Sequence, residues 1–352
     1  LEAGDLWRQR DLAKTLQRIA NKGPDGFYKG KTAALIVKEM NANGGLITLE
    51  DLANYQAKKR KPLIGSYRGY EIISMPPPSS GGTALIEMLN ILEGFDLAAS
   101  GFGTTETLHY MTESMRRAYA DRARFIGDPD FNTDMPIDRL ISKTYAEELR
   151  KTIDRNKASR SDAKAIVLPN ESPETTHFTV VDKDRNAVSL TYTLEYGYGS
   201  GIVVPGGGFL LNNEMGDFNA GPGLTNAQGL IGTPANLAKP GKRMLSSMTP
   251  TIVAKDGELF MTVGTPGGRT IINTVMQIIL NVVDHGMNAQ AAVDAGRIHH
   301  QWLPDVLRYE KQTFSMDSLN GLVYFDDRQV ISLNAIKVLD TEGLCRGGTD
   351  VE

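Results

Sequence analysis

Close to residue 175 the chain changes character, and this change limits the folds open to it. Upstream, apolar residues recur at helical spacing from Asp11 to Ala20, from Thr32 to Met40 and from Thr104 to Phe125. Downstream, residues 175–211 are rich in Thr, Val, Tyr and Phe and alternate with period two, as strands do. A polar stretch, Asp154 to Thr176, joins the two regimes. The first half thus reads as helix-rich and the second half as strand-rich.

Local signals refine this reading. Asn43-Gly44-Gly45 stops the second helix, and Thr48 with Asp51 forms a capping-box pattern ahead of another short one. Tyr70–Met75 reads as a strand closed by three prolines, after which Ser79-Ser80-Gly81-Gly82 opens a helix over 83–92. A further helix is predicted over 143–153. Residues 216–243, dominated by Gly, Pro, Asn and Lys, read as a long loop of the kind used as a functional lid. Strands follow over 249–254 and 259–264, then the loop Gly264-Thr265-Pro266-Gly267-Gly268 and a helix over 269–284. The stretch after Trp302 is again strand-like.

Charge and cysteine content exclude several function classes. Net charge is −4 with no sustained basic block, which argues against nucleic acid as a partner. Hydrophobic content of 41% supports a packed core, and no apolar run reaches the ~18 residues of a membrane span. Cys345 is alone, so neither an internal disulfide nor a CxxC metal site exists. None of the five histidines stands in an HExxH arrangement, and adjacent His299 and His300 read as packing residues rather than metal ligands. No metal site is expected.

Two Gly-rich strings invite an anion-binding reading. GFYKGKT at 26–32 fails as a phosphate loop, because the required first Gly is Asp25 and a helical segment precedes it. Ser79-Ser80-Gly81-Gly82 is read first as an ordinary helix cap, with an anion cradle as the alternative.

The segment 175–194 says more. Read as a hairpin turning at Lys183-Asp184-Arg185, it pairs residues whose numbers sum to a constant and sets Thr175 opposite Thr193. One face then carries Phe178, Val180, Val188, Leu190 and Tyr192 and is expected to face the core. The other carries Thr175, His177, Thr179, Ser189, Thr191 and Thr193. No Ser-His-Asp arrangement stands out to activate a hydroxyl. A Thr exposed as a new N-terminus carries its own base, an α-amine of pKa ~8. The loop at 264–268 offers the complementary element, since the N–H groups of Gly267 and Gly268 at a helix N-terminus suit a developing oxyanion. Ser246-Ser247 add hydroxyls, and Glu195, Glu214 and Asp217 add acceptors for a cationic group.

ETTHFTVVD at 174–182, LLNNEMGDF at 210–218, KRMLSSMTPTI at 242–252, TPGG at 265–268 and RIHHQWLPD at 297–305 closely resemble the γ-glutamyltransferases. GGLITLEDL at 44–52 and YRGYEIISMPPPSSGG at 67–82 extend the resemblance over almost the whole chain. The resemblance implies a four-layer αββα N-terminal-nucleophile hydrolase fold, here expected to be truncated at both ends. It implies a proenzyme cut between Glu174 and Thr175, so that 1–174 and 175–352 belong to the large and small subunits of one intertwined fold. By resemblance, Thr175 is cleavage residue and nucleophile, Thr193 its hydrogen-bond partner, and Gly267 with Gly268 the oxyanion hole. Ser246 and Ser247 would take the α-carboxylate of a γ-glutamyl group, and Asp217 with Glu214 its α-ammonium. The implied substrates are glutathione-like donors with water, amino acids or peptides as acceptors, and no cofactor is needed. The implied location is periplasmic or secreted.

Three departures from the family pattern stand out. Glu195 replaces a frequent Asn, and Gln228 stands where some bacterial relatives carry a gating Tyr. The family's carboxylate-clamping Arg has no counterpart here and would lie upstream of Leu1; this span alone is expected to lack amidase activity. Two other readings compete with a γ-glutamyl transferase/hydrolase. One is a glutaryl- or cephalosporin-type amide acylase of the same fold, and the other is a non-catalytic binding homologue.

Overall fold

A computed structural model describes residues 2–161, 175–219, 233–310 and 313–324. Two compact units emerge, Leu1–Arg60 with Tyr196–Asn213, and Lys61–Glu195 with Glu214–Glu352. The second unit takes chain from both sides of position 175.

The first unit contains helices α1 (Arg10–Lys22), α2 (Asp25–Tyr28), α3 (Gly30–Asn43) and α4 (Leu49–Asn54). Ala33, Ile36 and Met40 recur at helical spacing on α3 and pack with Leu52 and Val204. The capping box forms as expected: Thr48 Oγ1 accepts the Asp51 N–H at 3.1 Å, and the Asp51 carboxylate accepts the Thr48 N–H at 2.8 Å. GFYKGKT folds as α2 and the start of α3. Its Thr32 hydroxyl is used internally, donating to the Gly26 carbonyl at 2.7 Å and accepting from Arg18 Nε at 2.8 Å. The expected strand character after residue 194 does not extend this far, because residues 196–208 fold into turns and loops.

The second unit begins with strands β1 (Leu63–Tyr67) and β2 (Tyr70–Ser74), joined by the two-residue turn Arg68-Gly69. Helices α5 (Gly81–Leu92), α6 (Leu97–Ser100), α7 (Thr105–Phe125), α8 (Ile137–Leu140) and α9 (Lys143–Arg150) follow. Then come β3 (Thr176–Val181), β4 (Ala187–Tyr192), β5 (Thr251–Lys255), β6 (Glu258–Val263) and α10 (Thr270–Val283). The unit closes with α11 (Ala289–Asp294), the short pair β7 (Ile298–His299) and β8 (Arg308–Tyr309), and α12 (Met316–Tyr324).

An antiparallel sheet in the order β1-β2-β5-β6 is the frame. Helix α5 lies against it and is buried along its whole length, the polar Thr83, Glu87 and Asn90 included. Around α5 pack α7, α9 and α10, and their Leu, Ile, Met and Tyr side chains make one core with Ile72, Val253 and Val263 of the sheet. At such positions a Leu→Ala change costs about 2–5 kcal/mol. The run after Trp302 was expected to be strand-like, yet 316–324 is helical. Ser315 explains it: its hydroxyl accepts the Ser318 N–H at 3.0 Å and starts the helix.

The β3–β4 hairpin has the expected register, with Thr176 opposite Tyr192 and Val181 opposite Ala187. Its faces are reversed relative to expectation. Phe178, Val180, Val188, Leu190 and Tyr192 are exposed, at 37–55% of their full surface. The hydroxyl face turns inward instead, where Ser189 Oγ donates to the Val263 carbonyl at 3.4 Å and the His177 ring lies against Gly264. Alternation divides the two faces of a strand but does not say which one finds a partner. Here the polar face is held by β6 and the loop after it. The described residues thus supply a helical layer, a sheet and a hairpin, in an α+β arrangement.

One close approach ties α5 to the second half of the chain. A Cβ on Gly81 would sit 2.3 Å from the Met248 carbonyl oxygen and 2.4 Å from Thr249 Oγ1. Gly81→Ala is therefore expected to destabilise the protein by about 1–3 kcal/mol, read as a lowered midpoint of thermal unfolding. An unchanged midpoint would show that this contact is not tight.

Candidate active site

Thr175 immediately precedes β3, and the hairpin register brings it to Thr193, with Thr175 Oγ1 donating to Thr193 Oγ1 at 3.3 Å. Thr193 Oγ1 also accepts the backbone N–H of Glu195 at 2.9 Å. Glu195 adopts φ +73°, a left-handed conformation uncommon for a residue with a side chain. Two residues further along β3, His177 Nδ1 bonds Thr191 Oγ1 at 2.8 Å, and burial holds the imidazole below its usual pKa.

Facing the threonines is the serine pair. The Ser246 carbonyl accepts from the Ser80 N–H at 2.9 Å and from Ser80 Oγ at 2.8 Å, while Ser79 Oγ, 3.3 Å from that carbonyl, gives its proton to the Met248 carbonyl at 2.7 Å. Ser79 and Ser80 are thus fasteners for 246–248. Ser80 stands at the N-cap position of α5 without a side-chain capping bond; within the same string it is Ser79 Oγ that accepts the N–H of Gly81, the first residue of α5, at 3.2 Å. Arg122, from the last turn of α7, is buried between the serines. Its Nε donates to Ser80 Oγ at 2.8 Å and its Nη2 to Ser247 Oγ at 3.0 Å.

Three carboxyl groups gather on another side. Burial, with the charge of Asp217 added, pushes Glu195 up to about 7. Burial, followed by Asp217 and then Glu195, pushes Glu214 up to about 8. Asp217 is raised by burial to about 6, the guanidinium groups of Arg122 and Arg269 opposing the rise. Glu214 and Asp217 come from one short turn, Glu214–Asp217.

Gly267 and Gly268 follow β6 at φ +130° and +56°, and α10 begins two residues later. Their carbonyls accept the Thr270 and Ile271 N–H groups, while their own N–H groups make no hydrogen bond within the described residues. An open cleft of about 540 Å³, solvent space included, is lined by Arg122, Thr175, Thr193, Glu195, Asp217, Ser246, Ser247, Met248, Gly268, Arg269 and Ile271. Glu214 and Gly267 are not among these lining residues, and Glu214 is coupled to Asp217 and Glu195. Glu174, Gln228 and Cys345 lie outside the described residues. A surface that combines hydroxyls, guanidinium groups and carboxyls can hold a small zwitterion. Two converging hydroxyls beside backbone N–H donors can serve acyl transfer.

The geometry agrees with what comparison finds. The family described as Gamma-glutamyltranspeptidase matches residues 1–345. The chain belongs to the γ-glutamyltranspeptidase family. It is 52% identical to a glutathione hydrolase proenzyme of Escherichia coli strain K12, over 92% of this chain and 56% of that protein. It is 42% identical to an acylase ACY 1 proenzyme of Pseudomonas sp. strain SE83, over 85% of this chain and 51% of that protein. The chain spans about half the length of the curated relatives it matches. A solved cephalosporin acylase from Bacillus halodurans superposes with a TM-score of 0.76 at 30% identity, covering 94% of this chain and 57% of that one. The fold is that of the N-terminal-nucleophile hydrolases.

Within the family's motifs, chemistry and scaffolding separate. RIHHQWLPD is scaffold: His299 Nδ1 meets Asn273 Nδ2 at 2.7 Å, and His300 Nε2 meets Asp305 at 3.1 Å. Burial together with nearby Arg116 lowers His300 to about 4, so it is neutral near pH 7. Sequence reasoning missed Arg122, Arg269, Met248 and Ile271. Arg269 directly follows the TPGG motif, which was a usable signal. Arg122 sits in a helix among other arginines and gave none.

The raised carboxyl groups set a stability trend. A carboxyl whose folded-state pKa lies above its unfolded value keeps the folded state better protonated, so stability falls as pH rises through that window. For Glu214 the window runs from about 4.5 to about 8. Glu214→Gln removes the penalty and is expected to raise the thermal midpoint at pH 9 by roughly 2–4 °C, with little gain at pH 5. An equal gain at both pH values would show that charge burial is not the cause.

Proposed function

We propose that the protein is a γ-glutamyl transferase/hydrolase that cuts itself before Thr175 and then uses Thr175 as its nucleophile. The observation that carries this reading is the convergence of Thr175, Thr193, the serine pair, Glu195 and Asp217 on one cleft beside Gly268, with Glu214 coupled to the two carboxyls.

Cleavage of the Glu174–Thr175 bond would free an α-amine on the same residue as the hydroxyl. That amine takes the proton from Thr175 Oγ1 as the oxygen attacks the γ-carbonyl carbon of the donor. The negative charge developing on the carbonyl oxygen is met by the N–H groups of Gly267 and Gly268. The C–N bond then breaks, the amine passes its proton to the leaving nitrogen, and a γ-glutamyl ester remains on Thr175. Water or the amino group of an acceptor attacks the ester, and the proton returns to Thr175 Oγ1. Thr193 orients the nucleophile throughout. The serine pair receives the α-carboxylate, Ser247 through its hydroxyl proton with Ser246 beside it, while Asp217, Glu214 and Glu195 receive the α-ammonium. An ammonium among three carboxyls favours their ionised forms, so substrate binding expels protons from the cluster.

Glutathione-like peptides are the proposed donors, with water, amino acids or peptides as acceptors, and no cofactor enters the sequence of steps. The proposed organisation is a large and a small subunit from one precursor, 1–174 and 175–352 belonging to one or the other. A periplasmic or secreted location is proposed. No helix among the described residues is long and apolar enough to cross a membrane.

A glutaryl-type acylase is the competing reading, supported by the superposition with the cephalosporin acylase. Glu195 and Asp217 in the cleft, with Glu214 coupled to them, disfavour it, because a glutaryl group offers them no ammonium. The test compares full-length wild type with Thr175→Ala. Wild type is expected to split into two chains at Thr175 and to turn over a γ-glutamyl anilide faster than a glutaryl anilide. The variant is expected to stay whole and to lose turnover by about a thousandfold or more. A variant that still splits and turns over removes Thr175 from both roles, and a preference for the glutaryl anilide establishes the acylase reading.

A further inference from the structure

Arg122 lies in the cleft, yet no motif led to it and the reaction steps above do not use it. Its guanidinium donates to Ser80 Oγ at 2.8 Å and to Ser247 Oγ at 3.0 Å, and its charge opposes the rise of Asp217. Hydroxyl proton accounting shows what these bonds do. A hydroxyl has a single proton, so one that accepts from a guanidinium is left to act as a donor elsewhere. Ser80 spends its proton on the Ser246 carbonyl, at 2.8 Å. Ser247 has no acceptor for its proton among the described residues, and it lines the cleft.

Ser246 differs. Its hydroxyl donates to Ser79 Oγ at 3.1 Å, and Ser79 passes its own proton to the Met248 carbonyl at 2.7 Å. Ser246 Oγ also accepts the Met248 N–H at 3.2 Å. Its proton is committed inside the protein, so the two serines are not equivalent donors toward a ligand.

We propose that Arg122 is a positioning residue for the carboxylate end of the substrate: by occupying the acceptor side of Ser247 Oγ, it directs the Ser247 proton into the cleft, while through Ser80 it fixes the Ser246 carbonyl and hence the serine pair. The role rests on the γ-glutamyl reading. A guanidinium donor also polarises the hydroxyl it touches, which strengthens the outgoing bond. Lysine cannot reproduce the arrangement, because a single ammonium lacks the rigid two-pronged reach from Ser80 to Ser247.

Two anilide substrates test this in full-length protein. The γ-glutamyl anilide presents both α-carboxylate and α-ammonium, whereas the 4-aminobutyryl anilide keeps the ammonium and lacks the carboxylate. For the γ-glutamyl anilide, Arg122→Gln is expected to raise KM by about tenfold or more, with kcat held within about threefold. The preference for it over the 4-aminobutyryl anilide, as a ratio of kcat/KM, is expected to fall by a similar factor. Ser247→Ala is expected to reproduce that loss, and adding Arg122→Gln to it to cost little more. Arg122→Lys, which keeps the positive charge and puts less strain on folding, is expected to lose the preference as well. Equal losses on both substrates would make Arg122 a counter-ion of Asp217 or a structural residue, and would overturn the proposal. Multiplying effects of Arg122→Gln and Ser247→Ala would overturn it too. A wild type that does not turn over the γ-glutamyl anilide defeats the underlying reading, and the role with it.

Discussion

The Ser246 carbonyl is the point on which this architecture turns. It accepts two hydrogen bonds from Ser80, Ser79 fastens the Met248 carbonyl beside it, and the Ser246 N–H donates back to the Pro78 carbonyl at 3.1 Å. These bonds pin the N-terminus of a fully buried helix to the segment entering β5. They join parts of the chain about 167 residues apart in sequence. Because α5 also packs on the sheet, α7 and α10, the serine pair inherits the rigidity of the core. Arg122 and the glycine loop are then carried at fixed positions around it by α7 and β6, which is how a rigid scaffold gives a site its geometry.

Some of the site's features are costly to folding. Three carboxyl groups are brought together with reduced access to water, and burial raises all three pKa values. The large core around α5 and α10 offsets this cost.

Much of this was legible in the sequence. Helical periodicity located α1, α3 and α7, and the two-residue period with an odd turn gave the β3–β4 register and the meeting of Thr175 and Thr193. The motif pattern located the serine pair and Gly268 in the cleft. What could not be read depends on three-dimensional partners. The inward face of the hairpin is chosen by β6, not by its own alternation. Ser80 looks like a cap in one dimension but serves Ser246 and Arg122 in three. Arg122 enters the site only because α7 crosses behind the serines, a fact of helix packing that no spacing records. The helix at 316–324 hid because a single Ser start signal was outweighed by strand-like composition.

The central claim is that Thr175 Oγ1 carries the γ-glutamyl group during turnover. The most direct measurement is mass spectrometry of full-length protein quenched in acid during steady turnover of a γ-glutamyl anilide, followed by peptide mapping. The account predicts a mass gain of one glutamyl group on the peptide beginning at Thr175, lost on longer incubation without donor. A γ-glutamyl group carried on another side chain, with Thr175 unmodified, would contradict it.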